Sequence, residues 1–255
     1  MNTRELIVLT IVLTEFAVLS SLLLFYTFPE KNKPTKKKVI NSLITNHVFW
    51  GVLSLLGLLI SEHLGQVPRS LLSLLYRSRG YASSFPYLEL ICIGIACGLI
   101  LILLDKLLFK KVSNQLVETE IGKSTIPQRL SAIPHAAIGE EIVFRLAIQS
   151  LLSAIFIWLI GNGATVHSYA VMCPAILITS LLFGSAHLPI TKRFIKLSTG
   201  LIARALFLNG LAGVVLGFVY VQKGLEAAMF VHLCIDLCIV LAPVLIVFLF
   251  RTVNH

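Results

Sequence analysis

Glu140 and Glu141 stand side by side in a stretch, residues 131–160, whose only other charge is Arg145. The flanking sequence, A-I-G-E-E-I-V-F-R-L-A-I, is apolar or small on both sides. An ionisable group at bilayer depth costs at least ~2.5–3.5 kcal/mol on insertion scales, so three within six positions call for a purpose. Two further apolar stretches carry matching polar groups, Phe183-Gly-Ser-Ala-His187 and His232-Leu-Cys-Ile-Asp236. Together they supply three carboxylates and two imidazoles. Such a set can take a proton from water and polarise a carbonyl, which is the chemistry of a hydrolase.

The spacing divides the labour. On a helix Glu141 and Arg145 are four apart and face each other, so they form an intramembrane ion pair. Glu140 is turned about 100° away and left without that partner, free to take a proton. His232 and Asp236 are also four apart and can co-ligate a metal, or the acid can orient the imidazole. The compact H-E-x-x-H zinc signature is absent, so any metal site must be assembled from three separate helices. Taken alone, His187 reads as a helix-end residue and Phe183 as a core or lipid-facing ring. His135, five residues before Glu140, reads as a packing residue near the site. Glu15 in the first span and Arg204 in the sixth are expected to pair elsewhere in the bundle. His63, His167 and His255 read as loop or terminal residues.

These residues must be positioned by membrane helices. The chain has 255 residues, 57% hydrophobic and 13% charged, with a mean hydropathy of +0.91, too apolar for a soluble globule of that size. Runs long enough to cross a bilayer predict seven spans at 6–26, 39–60, 89–109, 131–160, 168–187, 200–222 and 226–250. The fourth, about 45 Å of helix, must tilt, kink or divide, and division would make eight spans. The expected fold is therefore all-α, a multispan transmembrane bundle around a polar cavity. Residues 67–80 alternate apolar and basic positions and read equally as an interfacial amphipathic helix or a loop. The five cysteines lie in apolar runs without C-x-x-C spacing and read as packing residues.

A net charge of +9 could suggest nucleic acid, but its distribution reports topology instead. With the N-terminus outside, thirteen basic residues fall on the inner side and five on the outer. That asymmetry predicts an odd number of spans and a cytoplasmic C-terminus. The partners expected are the bilayer and a membrane-associated protein or peptide substrate, with no nucleic acid and no dedicated protein partner inferable. No cleavable signal peptide is convincing, and 6–26 reads as a signal anchor. Short length and absent organellar signals suggest a bacterial plasma-membrane protein. All the identifiable chemistry falls in residues 129–255, while residues 1–128 read as membrane scaffold within one integrated domain.

Glu140-Glu141-x-x-x-Arg145, Phe183-x-x-x-His187 and His232-x-x-x-Asp236, in that order, resemble the motifs of the CPBP intramembrane proteases. That family groups type II CAAX prenyl proteases with bacteriocin-processing and self-immunity (Abi-like) proteins. The stretch Asn209-Gly-Leu-Ala-Gly-Val-Val-Leu-Gly-Phe-Val-Tyr220 also resembles the segment before the third motif. The resemblance spans roughly residues 133–240. It implies an endopeptidase in which water attacks a peptide bond, with Glu140, His187, His232 and Asp236 as the reacting set and Glu141, Arg145 and Phe183 as support. Two mechanisms fit. In one, Glu140 and His187 activate water directly while His232 and residue 236 stabilise the oxyanion. In the other, His187, His232 and a carboxylate such as Asp236 hold a zinc-like ion whose water Glu140 deprotonates. The third motif often ends in Asn, and an ionised Asp cannot donate to an oxyanion, which tilts the expectation toward a metal.

Two alternatives come from other classes. One is a non-catalytic membrane protein using the same cluster to bind a partner, as in peptide-toxin immunity. The other is an ion-coupled transporter, disfavoured because the halves show no repeat. One tension is geometric: spans five and seven run parallel, yet His187 ends the one and His232 begins the other. Straight spanning helices would part them by about 20 Å.

Overall fold

The computed structural model describes residues 1–26, 35–68, 71–72, 86–117, 119, 124–161 and 163–253. Seven helical segments among them are long and apolar enough to cross a membrane. The first three spans are Thr3–Tyr26, Lys36–His63 and Tyr87–Leu108. The last are Tyr169–Ala186, a sixth span built from Thr199–Arg204, Ala205–Asn209 and Gly210–Lys223, and Leu225–Val253. Between them the fourth runs unbroken from Ile126 to Ile160, so it is one span and not two. The expected amphipathic segment at 67–80 lies mostly outside the described residues, although Leu72 is fully buried in the core. His63, expected in a loop, is the last residue of the second helix.

The fourth span is not a uniform α-helix. It opens as α-helix over Ile126–His135, widens into π turns at Ala136–Glu140 and Ile142–Gln149, and closes as α-helix over Ser150–Ile160. Pro134 accounts for the onset: it has no N–H to donate, and its ring crowds the carbonyl four residues back. Inside a membrane the freed backbone groups are re-satisfied by local π adjustment. Glu140 and Glu141 sit where the two wide segments meet. Such bulges recur at functional sites.

Glycines let neighbouring helices approach closely enough to fix the site. The third span runs parallel to the seventh, with Gly94 against Cys234 and Gly98 against Cys238. A Cβ built on Gly94 would lie 2.4 Å from Cys234 Cβ and 3.0 Å from the Val231 carbonyl oxygen. His232 lies between those two residues, so this contact sets its depth. Gly94→Val is expected to cost about 1–3 kcal/mol through overpacking and to lower the melting temperature in detergent, while Ile95→Val on the lipid-facing side stays near neutral. Equal melting of both variants would remove this packing argument.

Ion pairs pin the third span to the sixth at both ends. Lys223 Nζ lies 2.9 Å from Glu89 at one end. At the other, Arg204 grips Asp105 through Nε and Nη2, both at 2.8 Å, with Ser113 Oγ bonded to the same carboxylate. Arg204 thus has the partner expected of it. So does Glu15, whose Oε1 lies 3.3 Å from His47 Nε2. The sixth and seventh spans are joined through Gly224 alone, at φ +92°, a backbone conformation that favours glycine.

Candidate functional site

Glu141 and Arg145 are the fully buried centre of the site. Arg145 Nε donates to Glu141 Oε2 at 3.1 Å, as the four-residue spacing predicts, and neither side chain is exposed to solvent. The other carboxylate oxygen, Oε1, accepts from His232 Nδ1 at 2.9 Å. The supporting pair is therefore a triad that crosses from the fourth span to the seventh. The i, i+4 rule reports contacts within one helix, so this link was not visible in the sequence.

The Glu141 bond fixes His232 as an Nδ1–H donor and turns Nε2 toward the remaining acids. Nε2 lies 3.7 Å from Asp236 Oδ2 and 4.0 Å from Glu140 Oε2. Both distances are too long for direct hydrogen bonds. Glu140 and Asp236 are about one-third and one-quarter exposed, so they face the accessible side of the cluster. His187 is fixed in the same way: a carbonyl oxygen can only accept, so Nδ1–H donates to Phe183 O at 2.9 Å and Nε2 is left for other work. It lies within electrostatic reach of both Glu140 and Asp236.

Phe183 is the hub. Its ring meets Phe144 and His187 edge-on, each at 5.1 Å between centroids, and His232 at 5.9 Å. The Arg145 guanidinium carbon lies 5.4 Å from the same centroid, a cation–π contact. That contact matters because Nη1 and Nη2 of Arg145 have no hydrogen-bond partner among the described residues. Phe183 also bridges spans five and seven, although the relevant helix ends fall within one residue of the expected places. The fifth helix stops at Ala186 after 18 residues, and His187 caps it. The seventh begins one residue after the sixth ends and carries His232 two turns in. One aromatic ring then spans what remains between the imidazoles.

Neighbouring contacts lock the frame. Ser150 and Tyr220 share a 2.6 Å hydrogen bond, and Gln149 Nε2 donates to the Gly217 carbonyl, tying the fourth span to the sixth. His135 is a packing residue, bonded to Ser21 Oγ at 3.1 Å and set edge-on to Trp50. A cavity of about 290 Å³ opens between the start of the fourth span and the seventh. Ala132, Ile133, Ala136, Ile239 and Val240 line it, with Arg129 and Asp236 among its polar members. It reaches the cluster at Asp236.

The donor chemistry of the site bears on a metal. Both imidazoles hold their Nδ1–H on an oxygen and offer Nε2, the arrangement common around bound metals. Yet among the described residues no three His, Cys, Asp or Glu side chains are gathered as a ligand set.

Fold and cluster together define a multispan helical membrane protein with a carboxylate–imidazole centre buried among its spans. Residues 122–238, just under half the chain, match the family described as type II CAAX prenyl endopeptidase Rce1-like, and that match supports a CPBP/CAAX protease assignment over the segment. The matched segment contains all seven residues of the three motifs. No curated protein and no solved structure matches the chain.

Proposed function

We propose that this integral membrane protein is a CAAX-type endopeptidase that cuts a peptide bond in a membrane-associated protein or peptide, with water activated by Glu140. The observation that carries this reading is the contrast between the two adjacent acids. Glu141 is consumed by Arg145 and His232, whereas Glu140 makes no direct hydrogen bond among the described residues and is partly exposed beside the two imidazole Nε2 atoms.

Glu140 takes a proton from water held against His187 Nε2, and the hydroxide adds to the peptide carbonyl. His232 in its imidazolium form keeps Nδ1–H on Glu141 and gives Nε2–H to the developing oxyanion. Collapse of the tetrahedral adduct breaks the C–N bond as Glu140 returns its proton to the leaving amine. Glu141 and Arg145 hold His232 in place and touch no substrate. Residues 129–255 carry this chemistry on the scaffold of 1–128. The basic end of the bundle faces the cytoplasm of a bacterial cell and places the C-terminus there.

Metal content and chelation test the water route. A purified, metal-free preparation is expected to keep its turnover of a membrane-peptide substrate under a strong chelator. Asp236→Asn, which replaces an ionised acid with a donor, is expected to be at least as active as the native chain. One equivalent of bound metal, lost in His232→Ala, with activity that falls on chelation and returns on re-addition, would overturn this route in favour of the metal-assisted one.

A further inference from the structure

The pair Glu15–His47 stands apart from the site and faces outward. Glu15 is 49% and His47 44% exposed, although both lie near mid-span. Glu15 falls two residues past the centre of its span Thr3–Leu23, and His47 three residues before the centre of Lys37–His63. The two helices are antiparallel, with Thr14 against Gly51. Both residues therefore sit at nearly the same depth, about 3–5 Å to one side of the middle.

Their neighbours on this face are hydrocarbon. Ile11 and Leu19 lie one turn either side of Glu15, while Ile44 and Val48 flank His47, all more than half exposed. Intramembrane ionisable groups almost always face a bundle interior or a watery cavity. This acid and base lie on the outer surface of one copy.

The hydrogen bonding defines the pair's state. His47 Nδ1 lies 2.8 Å from the Leu43 carbonyl oxygen, which can only accept, so Nδ1 carries a proton. Nε2 then faces Glu15 Oε1 at 3.3 Å. The carboxylate keeps acceptor capacity for a further donor.

We propose that the Glu15–His47 face is the contact between two copies of this chain in the membrane. Two copies inserted with the same orientation are related by a two-fold axis along the bilayer normal, which brings equal depths together. An acid and a base at one depth are then self-complementary: Glu15 of each copy meets His47 of the other, and the half-exposed polar atoms leave the lipid. A face carrying only one of the two charges would repel its own copy. Its apolar flanks supply the packing that drives helix association in lipid.

The test uses the full chain in lipid bilayers at graded protein-to-lipid ratios. Ile11→Cys or Ile44→Cys is expected to give a cross-linked dimer, while Leu103→Cys, exposed on the third span, gives none. The double variant Glu15→Leu/His47→Leu is lipid-compatible and is expected to weaken dimerisation at least tenfold with unchanged melting of the monomer. The exchanged variant Glu15→His/His47→Glu keeps an acid and a base at the same depth and is expected to restore it. A monomer at every ratio, or a dimer equally strong in the double leucine variant, would overturn the proposal. So would cross-linking of the Ile11 or Ile44 variant only to a different protein.

Discussion

Glu140→Gln and His187→Ala are each expected to lower peptide-bond cleavage by about 10²–10⁴-fold, the range general acid–base groups contribute. Folding should be almost untouched. Glu140 is partly exposed and lies no closer than 4.0 Å to His232 Nε2, while the side chain of His187 is held by a single bond to the Phe183 carbonyl. Cleavage measured on purified protein in bilayers, with melting followed in parallel, separates the two effects. Both variants retaining activity within about threefold of native would remove the enzyme reading and leave a partner-binding role for the cluster.

Arg145→Ala is expected to act on stability first, costing on the order of 3–5 kcal/mol, because it strands part of a fully buried charge network. Glu141 would keep its bond from His232 but lose its cation. The guanidinium is held through Nε and the Phe183 ring. The paired change Glu141→Gln/Arg145→Met removes both charges and leaves an amide oxygen to accept from His232 Nδ1. It is expected to recover more than half of the lost stability. Native-like melting of Arg145→Ala would show that the pair is dispensable.

The motifs themselves were legible because each is local. Charges in apolar runs stand out, and i, i+4 spacing correctly paired Glu141 with Arg145. Long apolar runs likewise placed all seven spans to within a few residues. What stayed hidden depends on which helix lies beside which. The bond from His232 to Glu141 joins residues 91 positions apart, and the grip of Arg204 on Asp105 joins residues 99 apart. The π widening around Glu140 had one visible cue, Pro134, whose effect on a membrane helix is a kink, a bulge or nothing according to its neighbours. The conflict between His187 and His232 came from treating the spans as straight parallel rods, since the helix ends themselves fall within a residue of expectation. Gly94 and Gly98 carried the missing information about helix separation, as a G-x-x-x-G in an apolar run.

The fifth helix ends after 18 residues, about 27 Å, slightly less than a typical hydrocarbon thickness of about 30 Å. Such a shortfall is met by a bilayer that thins locally around the short element. His187 sits at that end, followed by Leu188-Pro189 and the basic Lys192 and Arg193. The turn at His187, where the helix breaks before resuming at Leu188–Lys192, would draw headgroups and water inward on the side where the imidazole waits. On the proposed endopeptidase reading, a peptide lying in the interface would meet hydrolytic water without first being dragged through a full depth of lipid.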